Sequence, residues 1–382
     1  MNRGIKPENI IYMGYKNNVN HVRNPFPGMI FVGPQSTTEG DWAKYGCFEH
    51  VDYTGQDVNG EVFLGILSGD AERVKAKTGI ENPKVLNAGP EDTVFVYFID
   101  HGNDDIIVVG QDRVNSASLL EALKTAHEKK IYGKFVWYME ACHSGSMFSN
   151  LPADWNIYVM TSSDEHHNAK MADCPPNDVI AGQHMSTCIG SLWDDSYLDY
   201  LDEHPDCTIG ELFDFVHEDV AKTSEQNVSE WGDMTFRDLK LGEFVGYPQK
   251  TTRVHKKSSS STTTVLLSDV PAHLAKWNAI RAESSAEAEA AMKEYREVVF
   301  AEAKKEIEIM KLGRALLGEK AADKAVKSPV SKYSVDCVRD LSASLANKCG
   351  HSFPFSMTAT NVLRAICTPG KQAPEVDFAE IC

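Results

Sequence analysis

No stretch of this 382-residue chain approaches the ~20 consecutive apolar residues that a bilayer-spanning helix needs, although 42% of its residues are hydrophobic. No membrane span is therefore expected. Positive charge is also scarce: 38 Lys and Arg stand against 55 Asp and Glu, a formal net charge of −17. Phosphates would meet repulsion instead of releasing counterions, so nucleic acid is not an expected partner. The opening MNRGIKPENIIYMGY has no apolar run behind a basic start, so no signal peptide is read from it. No internal repeat is apparent, and neither metal nor cofactor is expected. Cysteine, by contrast, is plentiful. Nine of them suit an oxidising compartment better than the cytosol, a clue that conflicts with the missing leader.

Single cores rarely grow much beyond ~250–300 residues, so two domains are expected. The charge is unevenly divided between them. Residues 270–382 hold 16 Lys and Arg against 15 Asp and Glu, which leaves 22 against 40 in residues 1–269. Continuous apolar runs, IIYMGY (10–15), TVFVYFID (93–100), DIIVVG (105–110), FVWYMEA (135–141) and IYVMTSS (157–163), suit strands buried on both faces. Helical patterns lie around 57–67, 117–128 and 209–223. The expected class is α/β with a mainly parallel sheet flanked by helices. KKSSSSTTT (256–264) has the composition of an exposed linker. Beyond it, apolar residues recur every three or four positions through 272–325, which predicts one or two long helices. The last fifty residues hold four cysteines and read as a small, all-α, disulfide-stapled module. The expected division is 1–255, a linker at 256–269, helices over 270–328 and the stapled module over 329–382.

Two strand ends carry chemistry. VFVYFIDHG ends in Asp100, His101 and Gly102; FVWYMEACHSGSMF passes through Glu140 and Ala141 to Cys142. In open parallel sheets the carboxyl ends of strands line the crevice where ligands bind. A histidine and a cysteine delivered there by neighbouring strands can meet as base and nucleophile. Gly102 lets the backbone come close to a substrate, and its N–H with that of Cys142 can hold an oxyanion. His143 adjoins Cys142 in the chain, but adjacent residues point in different directions, so it is assigned to the pocket lining.

With its DHG and, about forty residues on, EACHSGSMF, together with NPFPGMIF (24–31), DYTGQDV (52–58), FLGILSGD (63–70) and KVLNAGPEDTVFVYF (84–98), the chain resembles the legumain (asparaginyl endopeptidase) family over most of 7–250. The resemblance implies a caspase-like α/β peptidase domain cleaving after asparagine through an acyl-enzyme on Cys142, with His101 as base. Its tail implies a helical prodomain that acts as the chain's own inhibitor; the charge split favours its docking while carboxylates are ionised, so release is expected as they are protonated at about pH 4–5. It also implies peptide or protein substrates and a lysosomal or vacuolar home. A lipid-anchor transamidase, a relative of the same fold, would be expected to carry a membrane span.

The pattern is not followed everywhere. Glu140 matches the family's pocket glutamate, whereas Asn168 stands where the family has serine and Ser191 where it has aspartate, which alters the hydrogen-bonding set offered to an asparagine amide. The family's asparagine that orients the histidine, and an Arg-His pair of the pocket, belong to a first strand that the text does not contain. One strand is then expected to lack a ladder partner and to bare an apolar face, through a truncated gene model or in a catalytically impaired binding module. Cys174 and Cys188 fall where plant-type members carry a loop disulfide, the alternative being two buried thiols. Four tail cysteines allow three connectivities, of which the resemblance implies Cys337–Cys367 and Cys349–Cys382. Cys47 and Cys207 have no evident partner. Asn278 is a candidate autocleavage site, and Asn227 begins a glycosylation sequon.

Overall fold

The computed structural model describes residues 4–15, 17–29, 31, 51–110, 112–247, 263–327, 330, 333–350 and 356–382; Cys47 and linker residues 256–262 lie outside them. The chain divides into two compact units, Met1–Gly102 with Ile106–Leu267, and Asn103–Asp105 with Ser268–Cys382.

In the first unit, α1 (Gly60–Leu67) starts at Asn59 and α2 (Ala71–Thr78) at Asp70, whose side chains accept from the N–H groups of Val62 and Arg73 and so satisfy donors that a helix start leaves open. Strand β1 (Thr93–Ile99) is followed by β2 (Gly102–Asn103), β3 (Ile106–Val109) and β4 (Asp112–Asn115), which form a small side sheet. Helix α3 (Ser116–Lys129) leads to β5 (Lys134–Glu140), then β6 (Ile157–Thr161), β7 (Lys170–Ala172), the short pair β8 (Val179–Ile180) and β9 (Gln183–His184), and β10 (Gly190–Ser191). Helices α4 (Leu192–Glu203) and α5 (Ile209–Ala221), strand β11 (Ser229–Gly232), the short α6 (Gly242–Val245) and β12 (Val265–Leu266) complete it.

The central sheet runs β1-β5-β6-β11, with β1, β5 and β6 parallel and β11 antiparallel to β6. Side chains alternate across a strand, and β5 fills a core on each face. Phe135, Trp137 and Met139 pack with Leu119 and Leu123 of α3, while Val136 and Tyr138 pack with Trp193 of α4 and Leu212 and Val216 of α5. A strand covered by helices on both sides has no polar face to show, hence its unbroken apolar run.

Two of the expected strands take other places. Among the described residues IIYMGY supplies only an isolated bridge, Met13 to Tyr53, and DIIVVG supplies β3, which pairs antiparallel with β4 outside the main sheet. An apolar run establishes a strand's readiness to be buried, not the partner it meets. Helix α4, with five Asp or Glu in twelve residues, had no signal in the apolar pattern beyond Leu192, Trp193, Tyr197 and Leu201. Among the described residues β1 is paired on one side only, and Tyr97 and Ile99 are 40% and 49% exposed.

The second unit is helical: α7 (Val270–Ile280), the 33-residue α8 (Ser285–Leu317), α9 (Glu319–Lys327), α10 (Val335–Cys349), α11 (Met357–Ile366) and α12 (Phe378–Ile381). Ile309, Leu312, Leu341, Leu345, Val362 and Leu363 form its core. Disulfides join Cys337 to Cys367 and Cys349 to Cys382. Arg364 donates to Asp104 at 2.9 Å, with 0% and 1% of the two side chains exposed, and Tyr333 donates to the other oxygen of Asp104. Removing one partner of a pair this deeply buried would strand a charge. No described helix is long and apolar enough to cross a membrane.

Candidate active site

The parallel register sets Ile99 opposite Glu140, and Asp100 N–H donates to the carbonyl of Glu140 at 3.3 Å. Continued two positions past the ladder, that register would set His101 level with Cys142. Contact at this level is direct: a Cβ added to Gly102 would lie 2.3 Å from the carbonyl oxygen of Cys142 and 3.0 Å from the Cβ of Ala141. Only a residue without a side chain lets the two strand ends close so tightly. The His101 carbonyl accepts from Val108 N–H at 2.9 Å, and its own N–H donates to Asp100 Oδ1 at 2.7 Å, so its backbone is held on both sides.

Burial lowers the His101 pKa below the ordinary imidazole value, which keeps the ring neutral and able to accept a proton. Its Nδ1 is buried without a hydrogen-bond partner among the described residues. Burial raises the carboxyl of Asp100 to about 6, against backbone N–H groups of His101 and Gly110 that favour its charge. Cys142 is 2% exposed, and its sulfur lies 4.0 Å from the carbonyl oxygen of Ala169.

Three serines that the sequence reading passed over hold the Cys142 loop. Ser162 accepts from Ala141 N–H at 3.2 Å, Ser163 donates to the Ala141 carbonyl at 2.9 Å and accepts from Ser144 N–H at 3.1 Å, and the Ser144 hydroxyl donates back to the Ser163 carbonyl. All three are fully buried. The signal was present: two serines directly after an apolar strand, where hydroxyls can serve backbone groups that leave the ladder. His143 turns away from this work. It has φ 54°, is buried, and its Nδ1 bonds the carbonyl of Glu165 at 2.9 Å.

Strand parity carries Glu140 to the α4 face. There it is fully buried, and among the described residues neither carboxylate oxygen has a hydrogen bond of ordinary geometry, although the Ser162 and Ser191 hydroxyls lie near enough to favour its charge. Burial, then the neighbouring Asp194, holds it well above the usual carboxylate range. Asp194 is itself raised to about 6 by burial, opposed by the hydroxyls of Tyr97 and Ser191; Tyr97 donates to it at 2.7 Å. Ser191 caps α4, accepting from Asp194 N–H at 3.0 Å. The structure thus gathers Glu140 and Ser191 with an acid the sequence reading had not named. Asn168 is half-buried, next to Ala169 at the start of β7.

Other expected residues lie elsewhere. Cys174 and Cys188 are disulfide-bonded, while Cys207 is a buried thiol. Asn227 donates to Asp164 at 2.9 Å. Asn278 sits inside α7 of the second unit, where cleavage would require unwinding. Among the described residues no three His, Cys, Asp or Glu are grouped to hold a metal ion.

The chain is similar to the legumain of Mus musculus, 34% identical over 243 residues that cover 64% of this chain and 52% of the relative. It is also similar to the hemoglobinase of Schistosoma japonicum, 32% identical over 280 residues, 72% of this chain and 60% of that protein. A vacuolar-processing enzyme beta-isozyme 1 of Oryza sativa subsp. indica is 31% identical over 252 residues, 64% and 49% of the two chains. The chain spans about half the length of the curated relatives it matches. Its residues 1–250 match the model of the Peptidase C13 family, and the chain, with a histidine and a cysteine at adjacent strand ends, belongs to that family.

Proposed function

We propose that the chain is a cysteine endopeptidase that works through an acyl-enzyme. The observation that carries this reading is the close approach of Gly102 to the Cys142 carbonyl beside a neutral His101. Cys142 attacks the scissile carbonyl, and His101 takes the thiol proton and returns it to the leaving amine. Backbone N–H groups of Gly102 and Cys142 stabilise the oxyanion. Water then cleaves the thioester. The alternative of a catalytically impaired binding module is not supported by the family match, and both reacting side-chain types occupy the strand ends.

The finer proposals follow from the family. Glu140, Asn168 and Ser191 form the pocket for the residue before the cut, with asparagine the expected choice. A protonated Glu140 can donate to an amide oxygen, while Ser191 can accept from an amide nitrogen. Residues 270–382 serve as the chain's own inhibitor, and the compartment is lysosomal or vacuolar, as the name of the rice relative suggests for that protein. The test is a fluorogenic peptide library varied at the residue before the cut, run with the wild type, Cys142→Ala and His101→Ala. Each substitution should cost about 10³-fold or more in turnover. Hydrolysis that persists in Cys142→Ala would sink the proposal.

A further inference from the structure

Strand β6 ends at Thr161 and β11 begins opposite it at Ser229, so the ladder that pairs them stops there. Residues 162–170 then leave β6 and lead into β7. This segment surrounds the nucleophile loop. Besides the serine bonds already described, Gly145 N–H donates to the Ser163 carbonyl at 3.0 Å, His143 N–H donates to the His167 carbonyl at 2.9 Å, and the sulfur of Cys142 lies 4.0 Å from the Ala169 carbonyl. The main-chain N–H groups of Ala141, His143, Ser144 and Gly145 all end on it.

The two ends of the segment are joined by one side chain. Gln226, 2% exposed, donates from Nε2 to the Ser162 carbonyl at 2.8 Å and accepts from Lys170 N–H through Oε1 at 2.9 Å. A carboxamide offers the donor and the acceptor of a peptide group, so Gln226 serves as a rung between a carbonyl and an N–H that burial obliges to find partners. Its own N–H donates to Ser224 Oγ at 3.0 Å, which fixes the turn it stands on. The next residue, Asn227, donates to Asp164 at 2.9 Å within the same segment, and Asp164 accepts from the N–H groups of His166 and His167 at 2.7 and 2.9 Å. Consecutive amides therefore hold both the span and the bend of the frame on which Cys142 rests. We infer that Gln226 is a positioning residue for Cys142, acting through residues 162–170 and not by contact with the reacting atoms. The inference rests on the peptidase reading and extends it.

The test uses the full chain after acid processing, with the peptide library as substrate. Gln226→Glu keeps the shape of the rung. Protonated, the new carboxyl still offers one donor and one acceptor; ionised, it only accepts, and the Ser162 carbonyl loses its donor. Burial raises such a carboxyl above its ordinary value of about 4.3. The kcat of Gln226→Glu should therefore lie within about twofold of wild type at about pH 4 and fall to about one tenth of it by about pH 8, the loss expected for one buried carbonyl left unpaired. The ionisable side chains of the frame, Asp164, Glu165, His166, His167 and Lys170, are common to both proteins, so the ratio removes their contribution. Gln226→Met, similar in length but with neither polar group, should lose about tenfold in kcat at every pH. A merely structural role would lower denaturant midpoints and leave kcat of the folded protein unchanged. A Gln226→Glu to wild-type ratio that does not change with pH, or a Gln226→Met that turns over like wild type, overturns the inference. No hydrolysis by processed wild type would instead overturn the peptidase reading beneath it.

Discussion

Replacing Asp100 by Asn removes a charge while keeping an oxygen of the same shape for His101 N–H, 2.7 Å away. The Asp100 carboxyl titrates at about 6 in the folded chain against an ordinary 3.8, chiefly because it is buried. An acid whose folded pKa is raised contributes stability that is complete below its unfolded value and is lost as pH rises through the folded value. The displacement is roughly two pH units, and at about 1.36 kcal/mol for each, ionised Asp100 costs the folded state on the order of 3 kcal/mol at neutral pH. Below about pH 4 the cost vanishes. Asp100→Asn should therefore match wild type in denaturant midpoint at about pH 4 and exceed it increasingly from about pH 4 to 6, reaching a gain of about 2–3 kcal/mol above that. Equilibrium unfolding at three pH values, followed by tryptophan fluorescence, measures this. A variant less stable than wild type at about pH 8, or a difference that does not change with pH, would refute the claim that burial governs this group.

The same burial argument applies to the base. Desolvation lowers the His101 pKa, so the acid limb of the kcat/KM profile should fall at a pH below the ordinary histidine value, and a limb above it would count against His101 as base. Trp137 is fully buried and packs against Phe148 with ring centroids 5.5 Å apart; Trp137→Ala should cost about 3–5 kcal/mol in chemical denaturation, and less than 1 kcal/mol would mean that this core is not the one described. Ser163→Ala leaves the Ala141 carbonyl and the Ser144 N–H without the hydroxyl they share. It should lower stability by about 1–3 kcal/mol and reduce kcat more than it raises KM; a change in KM alone would separate Ser163 from the placement of Cys142.

Much of the site was legible because chemistry and periodicity coincided at two strand ends. Strands β5 and β6 announced themselves as apolar runs, since a strand covered on both faces has no polar one to show; β1 carries the same kind of run although Phe98 is its one buried residue. Glu140 was identified, but not its company. Asp194 lies 54 residues later in an acid-rich helix whose composition resembles a solvated one, and only strand parity together with the packing of Trp193 beside Tyr138 turns it inward. The runs at 10–15 and 105–110 were correctly read as apolar and wrongly placed, because pairing is a choice between partners distant in the chain.

What the sequence by itself determined is therefore local: which residue types stand at the ends of β1 and β5, where helices can start, and that charge is concentrated in residues 1–269. Tertiary structure decided the rest. The chain closes loops of 30 and 33 residues in choosing Cys337–Cys367 and Cys349–Cys382, and brings Val265 across to Met171. It also shifts Asp100, Glu140 and Asp194 away from ordinary acidity. Each of these depends on the distance between groups far apart in sequence, or on how completely water is excluded from them, and neither quantity exists until the chain has folded.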